Sequence, residues 1–331
     1  MRALMHDEFG DPATVLSVKE IPAPEPRSGQ VLIRTLLASI HNHDLWTVKG
    51  DYGYKPTLPA RSGSEAVGVI EALGEGVTGL SVGQRVMTGG AFGTWAEYFV
   101  ANADTVLPVP DAIPDEAAAQ LFAMPFSAAS LLEYLQVQPG GWIVQNAANG
   151  MVGGLLAQLA AARGVNVTGL VRRSAAVEEL AALGISNVIA TDTPDWRERA
   201  AALAGDTGYA AAVDSVGGSA STDLARLLGQ RGTLVSFGAM SAAGAGQTAL
   251  LEIPVNDVIF KELTIKGFWG RTVSQEMAPA KRRELVEEIV RGAAAGTLKL
   301  PVDGIYDFDR IADAATANGR PGRSGKILLR P

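Results

Sequence analysis

Residues 142–174 read WIVQNAANGMVGGLLAQLAAARGVNVTGLVRRS, and this stretch decides the fold. Trp142, Ile143 and Val144 make a short apolar run with the pattern of a buried strand. Small residues follow at 146–150. Residues 152–163 are rich in Ala and Leu at helical spacing, and Gly164 stops them. Residues 165–171 are a second strand, rich in β-branched side chains. Strand, turn, helix and strand make a βαβ unit. Gly150 and Gly153, with Ala147 and Ala148 beside them, leave room for a phosphate to reach backbone N–H groups at a helix N-terminus, where the helix dipole favours anions. The turn departs from a full G-x-G-x-x-G, and context supplies the rest: further strand–helix units follow it, as in a dinucleotide-binding domain.

Downstream, helices are expected at 175–183, 195–204 and 219–228. Strands are expected at 187–190, 210–213 (ending on Asp214), 233–237 and 263–267. A loop is expected at 239–246 and a short apolar segment at 255–260. Such alternation builds a parallel sheet covered on both faces. Residues 1–120 read differently. Strand candidates at 1–5, 16–21, 31–38, 66–73 and 95–101 are separated by Gly, Pro and Asp turn signals, including turns at 74–77 and 81–86, as in a compact antiparallel barrel. A linker at 110–114 precedes helices expected from 115 and over 125–135. A helix at 279–295 ends at Gly296. The tail has strand-like pieces at 305–308 and 326–329 and is expected to return to the first domain. The fold class is therefore α/β, with a β-rich domain over 1–123 and 268–331 and a doubly wound parallel-sheet domain over 124–267.

Of the 331 residues, 47% are hydrophobic and 19% charged, so a large core can form and disorder is excluded as a class. The net charge of −7, without a Lys/Arg-rich run, argues against nucleic-acid binding. No stretch approaches the ~18 apolar residues of a membrane span, and a cytoplasmic protein is expected. There are no cysteines, which removes disulfides, thiol nucleophiles and cysteine-held zinc.

Five segments, in order, carry a resemblance: Lys49-Gly50-Asp51-Tyr52-Gly53 with Leu58-Pro59-Ala60; Met124-Pro125-Phe126-Ser127; Gln145-Asn146-Ala147-Ala148-Asn149-Gly150 with Val152-Gly153; Asp214-Ser215-Val216-Gly217-Gly218; and Lys266-Gly267-Phe268-Trp269. The whole chain resembles a medium-chain dehydrogenase/reductase, and within that superfamily the zinc-free 2-enoyl thioester reductases, mitochondrial type. The resemblance implies a GroES-like catalytic domain, a Rossmann domain inserted into it, and NADPH-dependent reduction of a C=C bond next to a thioester. It places Tyr52 as the catalytic residue and Asn42, Ser127, Phe268 and Trp269 in the substrate pocket. It places Asn146, Ala148, Asn149, Gly150, Met151, Val152, Arg172, Arg173, Phe237, Gly238, Phe268 and Lys326 at the cofactor.

Two departures from the pattern stand out. Zinc dehydrogenases hold their metal with a Cys in the loop matching residues 39–45 and with the His and Glu of a Gly-His-Glu triplet. Here the loop carries His41, Asn42, His43 and Asp44, and the triplet is Gly63-Ser64-Glu65. Catalytic zinc needs three protein ligands and an open position. His41, His43 and Glu65 offer three on paper, yet imidazoles two apart in an extended chain point to opposite faces. They are therefore expected to hydrogen-bond within the site wall, with no metal. The second departure is that Ser64 and Met124 stand where the reductases more often carry Asn, which bears on fine substrate specificity.

Enoyl reduction needs a hydride placed at the β-carbon, a stabilised enolate oxygen and a proton for the α-carbon. A tyrosine O–H donates without bearing charge, and Tyr52, with Tyr54 two residues on, stands in the matching loop. A zinc-independent quinone or enone reductase remains open, as does a non-catalytic NADPH-binding protein. The second strand of the opening unit ends in Arg172-Arg173-Ser174, where an NAD site places an acid. Arginines suit a 2′-phosphate, so NADPH is expected. The apolar strand 263–267 is expected at the sheet edge, where a second copy pairs to make a homodimer. A small acyl thioester or enone is the expected substrate.

Overall fold

The computed structural model describes residues 1–239, 249–320 and 322–331. The loop expected at 239–246 thus lies outside the described residues from Met240 on. The chain divides into two compact units. One comprises Met1–Ala123, Val290–Gly296 and Leu300–Pro331; the other comprises Met124–Ile289 and Thr297–Lys299. Residues 268–289, expected with the first domain, belong to the second unit.

The first unit opens with β1 (Arg2–His6), α1 (Pro12–Val15), β2 (Ser17–Glu20), β3 (Gln30–Ser39), α2 (Asn42–Lys49), β4 (Ala60–Arg61), β5 (Glu65–Leu73), β6 (Arg85–Gly89), β7 (Tyr98–Asn102), β8 (Val106–Pro108) and α3 (Asp115–Ala118). A three-stranded sheet runs β2-β1-β4. A seven-stranded sheet is organised on β3, whose residues alternate between buried and half-buried, as a strand with one core face must. β3 pairs antiparallel with β5 and β7. Ile33, Ile70, Trp95, Phe99 and Phe308 fill the core beneath it. Residues 42–45, expected in a loop over 39–45, fall in α2, and Arg85 and Val86, expected in a turn, begin β6.

The second unit holds α4 (Ala123–Leu135), β9 (Trp142–Gln145), α5 (Met151–Ala162), β10 (Asn166–Val171), α6 (Ala175–Ala182), β11 (Val188–Ala190), α7 (Trp196–Ala204), β12 (Tyr209–Asp214), α8 (Ser219–Leu227), β13 (Leu228–Ser236), α9 (Val255–Phe260), β14 (Thr264–Gly267) and α10 (Gly270–Glu276). Its six strands run β11-β10-β9-β12-β13-β14, all parallel. β9 lies at the centre. Val144 has Thr168 of β10 on one side and Ala212 of β12 on the other. Chain order reverses there, and in open α/β sheets the crevice at such a point, beyond the strands' carboxyl ends, receives ligands. α11 (Pro279–Ala294) crosses the boundary between the units, and β15 (Val302–Asp307), α12 (Ile311–Asn318) and β16 (Lys326–Arg330) return to the first. β16 adds to the free edge of β3, with Leu329 opposite Ala38.

Candidate functional site

Two clusters carry the chemistry, one in each unit. In the second unit the turn after β9 is shaped by packing. Ala147 adopts a left-handed φ of 48°. The buried Ala148 is wedged between two glycines: a Cβ on Gly153 would meet Ala148 Cα at 2.9 Å, and one on Gly169 would meet Ala148 Cβ at 2.8 Å. Ala148, expected at the cofactor, therefore presents its methyl to the core. Asn149 and Gly150 are exposed, and Gly150 caps α5 with Met151 and Val152 half-buried behind it.

A polar knot closes this end of the sheet. The Asp214 carboxylate, fully buried at the end of β12, accepts from Asn146 Nδ2 at 2.7 Å, from the N–H groups of Val216 and Gly217 at 2.9 Å each, and from Ser221 Oγ. Asn146 Oδ1 in turn accepts from Ser215 N at 2.7 Å. Asn146 thus ties the turn to the loop after β12. That loop also holds residues 237 and 238, because Phe237 N donates to Asp214 O at 2.8 Å and Gly238 N does so at 3.2 Å. Arg172 and Arg173 are exposed at the tip of β10. Arg173 lies 3.7 Å from Glu179, and Ser174 donates to the Asp192 carboxylate through both its N–H and its hydroxyl. Phe268 is buried between the rings of Tyr134 (5.5 Å, edge-on) and Phe237 (5.7 Å). Trp269, the N-cap of α10, is 46% exposed, and Ser127 faces the start of the same helix at Gly270.

In the first unit the chain turns from β3 into α2 at His41. His41 N donates to Asp44 Oδ2 at 2.9 Å and so caps the helix. The helical turn brings the two histidines together rather than apart, with rings stacked at 5.0 Å and 14°. The opposite-face geometry expected from an extended loop is therefore corrected. Tyr52 lies against the other histidine of the pair, its ring 5.7 Å from that of His43. Tyr54 instead packs on Phe92 at 4.8 Å. Asn42 accepts from Asn318 Nδ2 at 3.1 Å.

Beneath the stack, His41 Nε2 lies 2.7 Å from Glu65 Oε2 and 2.8 Å from Ser39 Oγ, and its Nδ1 lies 3.1 Å from Lys326 Nζ. Glu65 Oε1 accepts from Phe122 N at 2.6 Å. His41, Glu65 and Lys326 are all buried. Burial pushes Glu65 up to about 8, against the pull of the Phe122 and Ala123 N–H groups and of Lys326. Burial and Arg323 push Lys326 down to about 8, with Glu65 and Asp44 opposing. Burial, then the Lys326 charge, holds His41 well below its ordinary range.

His43 is tautomer-locked. Ser64 Oγ gives its one hydrogen to Asp44 Oδ1 (2.7 Å), so it must accept from His43 Nε2 (2.8 Å). Burial lowers the His43 pKa, with Asp44 opposing.

Lys326, expected at the cofactor, thus sits inside this network. Nothing local in the sequence pairs it with His41, 285 positions away. Ser39 and Asp44 were also missed, although an acid three residues after a helix start is a capping signal.

The first unit's barrel matches the alcohol dehydrogenase GroES-like domain over residues 27–111, and residues 152–288 match the zinc-binding dehydrogenase model. Human mitochondrial enoyl-[acyl-carrier-protein] reductase is 32% identical over 335 aligned positions, covering 99% of this chain and 88% of the relative. The chain belongs to the medium-chain dehydrogenase/reductase superfamily. The Dictyostelium discoideum enoyl-[acyl-carrier-protein] reductase is 30% identical, with 99% and 94% covered. Among solved structures, one described as an NADPH:quinone reductase from Bacillus thuringiensis superposes with a TM-score of 0.90 at 28% identity, covering 100% and 98%. A mycobacterial protein solved with NADPH gives 0.86 at 27%, covering 100% of both chains.

The zinc that one family name carries does not fit these residues. Both His41 nitrogens and both Glu65 oxygens are already engaged, and among the described residues no group of three or more His, Cys, Asp or Glu is placed to hold a metal. This oxidoreductase falls in the zinc-free branch.

Proposed function

We propose that the chain is an NADPH-dependent reductase of C=C bonds conjugated to a thioester carbonyl, of the trans-2-enoyl-CoA or enoyl-carrier-protein class. The observation that carries the reading is Tyr52 beside the locked His43, above a network in which His41 and Glu65 are already engaged with Lys326 and with each other. A conjugated C=C takes hydride at its β-carbon while its own carbonyl draws off the charge, so a hydrogen-bond donor suffices for the rest.

The cofactor fits the second unit. The Gly153–Ala148–Gly169 wedge keeps the turn thin, exposed Asn149 and Gly150 open the N-terminus of α5 to a pyrophosphate, and exposed Arg172 and Arg173 offer a 2′-phosphate two guanidinium groups. Bound NADPH would supply the hydride. Tyr52 would give its hydroxyl proton to the α-carbon or hydrogen-bond the enolate oxygen.

A quinone or enone substrate is the second reading. The Tyr54–Phe92 pair, two aromatic rings 4.8 Å apart and tilted by 31° in the first unit, favours it, as does the likeness to the Bacillus protein. NADPH oxidation followed optically with crotonyl-CoA beside a quinone tests both. Turnover of the thioester alone supports the first, turnover of the quinone alone the second, and turnover of neither refutes both.

We also propose a homodimer joined at β14. That strand ends the sheet and all four of its residues are exposed, while Val255, Ile259 and Phe260 of α9 are exposed as well. Monomeric mass by light scattering at micromolar protein would count against it. Among the described residues no helix is long and apolar enough to cross a membrane, and we propose the cytoplasm as the site of action.

A further inference from the structure

We propose that Lys326 is a protein-borne cation that does the structural work of the missing metal: it clamps the His41 imidazole against Glu65 and so holds the platform on which His43 stacks beside Tyr52. The geometry carries this. An ammonium only donates, so His41 Nδ1, 3.1 Å from Lys326 Nζ, is the acceptor. The single imidazole proton then sits on Nε2 and points at Glu65 Oε2, 2.7 Å away. Lys326, His41 and Glu65 form a line of donor, bridge and acceptor; Ser39 Oγ, 2.8 Å from the same Nε2, accepts a share of its proton, and Phe122 N at 2.6 Å completes the Glu65 end.

Every member is buried, and buried charges are stable only as a pair, so Lys326 and Glu65 each hold the other in its charged form. Arg323 and Asp44 are the other charged groups that bear on the line. The top of the bridge is the His41 ring, and His43 lies on it at 5.0 Å with Tyr52 beyond. Lys326 is therefore a positioning residue.

Three measurements need no turnover. Imidazole nitrogen NMR is simple here because the chain has only 3 histidines, and replacing each by Gln assigns the signals. His41 is expected with its proton on Nε2 and with an Nδ1 signal that moves in Lys326→Met. Melting is the second. Lys326→Met leaves Glu65 buried without its counter-ion, so the carboxyl must take up a proton or stay unpaired, and Tm should fall by several degrees; Lys326→Met with Glu65→Gln should recover at least half of that loss. The third is Co²⁺ uptake after gel filtration, where none is expected to be retained. With a substrate, Lys326→Met is expected to lower kcat at least tenfold while the NADPH Kd stays within twofold. If Lys326→Met alone fails to fold, the double variant and the wild-type spectrum still decide.

A wild-type His41 proton on Nδ1, additive Tm changes or one equivalent of bound Co²⁺ would overturn the proposal. So would a tenfold rise in NADPH Kd with an unchanged His41 spectrum. The kinetic arm rests on the proposed reductase activity. If neither substrate is turned over, that reading fails, and the spectrum, melting and Co²⁺ arms still decide this one.

Discussion

Replacing Asp214 should separate the dinucleotide turn from the rest of its sheet. Its buried carboxylate satisfies four donors: Asn146 Nδ2, Val216 N, Gly217 N and Ser221 Oγ. Asp214→Ala leaves them without an acceptor. The bonds made by Asn146, Gly217 and Ser221 are shielded from water, and a buried unmet donor costs about 1–3 kcal/mol. The expected loss is therefore roughly 4 kcal/mol, a large part of the stability of a typical domain. Asp214→Asn keeps Oδ1 for three of the donors and sets its amide opposite Ser221, whose hydroxyl can turn to accept. That change should cost about 1 kcal/mol. Urea unfolding monitored by far-UV circular dichroism measures both. Asn146 also joins the turn to the 215–217 loop, so NADPH fluorescence titration should show at least tenfold weaker binding for Asp214→Ala. A loss below about 1 kcal/mol for Asp214→Ala, or equal losses for the two variants, would refute the reasoning, since one unmet buried donor alone costs that much.

Tyr52→Phe should lower kcat at least roughly tenfold, about 1.4 kcal/mol in the barrier, with NADPH Kd unchanged. Tyr54→Phe should be near neutral, and stopped-flow kinetics would expose the reverse pattern. Wild-type protein should prefer NADPH to NADH in kcat/KM, and Arg172→Ala with Arg173→Ala should erase most of that preference by weakening NADPH alone; equal use of the two cofactors at the outset would sink this. Acid should destabilise the protein through its histidines. His6, His41 and His43 are all held below their ordinary 6.5, chiefly by burial. The unfolded chain then binds more protons once pH falls below about 6.5, so stability drops from there downward. Melting curves across that range should show the drop, and His41→Gln should flatten it.

The sheet of the second unit was legible because period and punctuation agree. β9, α5 and β10 follow from an apolar run, an Ala/Leu helix and a β-branched run split by glycines. α2 was not legible. It is eight residues long, holds a histidine, an Asp and a Trp, and has little amphipathic period. Its helicity comes from the Asp44 cap and from the buried Leu45 and Val48, which are tertiary facts. α12 was hidden likewise, since Ala and Asn give no period until Ile311 and Ala314 meet the core. The candidate site divides along the same line. The turn follows from local pattern, and Tyr52 from the family resemblance. The bridge through His41 needs β16 laid against β3, and no local pattern in one strand records its neighbour.

The exposed strand β14 bears on how the protein must be made. Among the described residues its outer edge pairs with no further strand and lies beside the apolar residues of α9, a template any extended chain can extend. A newly synthesised copy carries that template from the moment its sheet closes. If the proposed homodimer forms there, the yield of native protein is a race between capture of β14 by a second folded copy and capture by another unfolded chain. Both captures grow with concentration, but only the second draws on the unfolded pool. Slow expression and low temperature, which shrink that pool, should raise the soluble fraction. A single charged residue at Ile265, facing outward on the edge, should suppress aggregates even where it costs assembly.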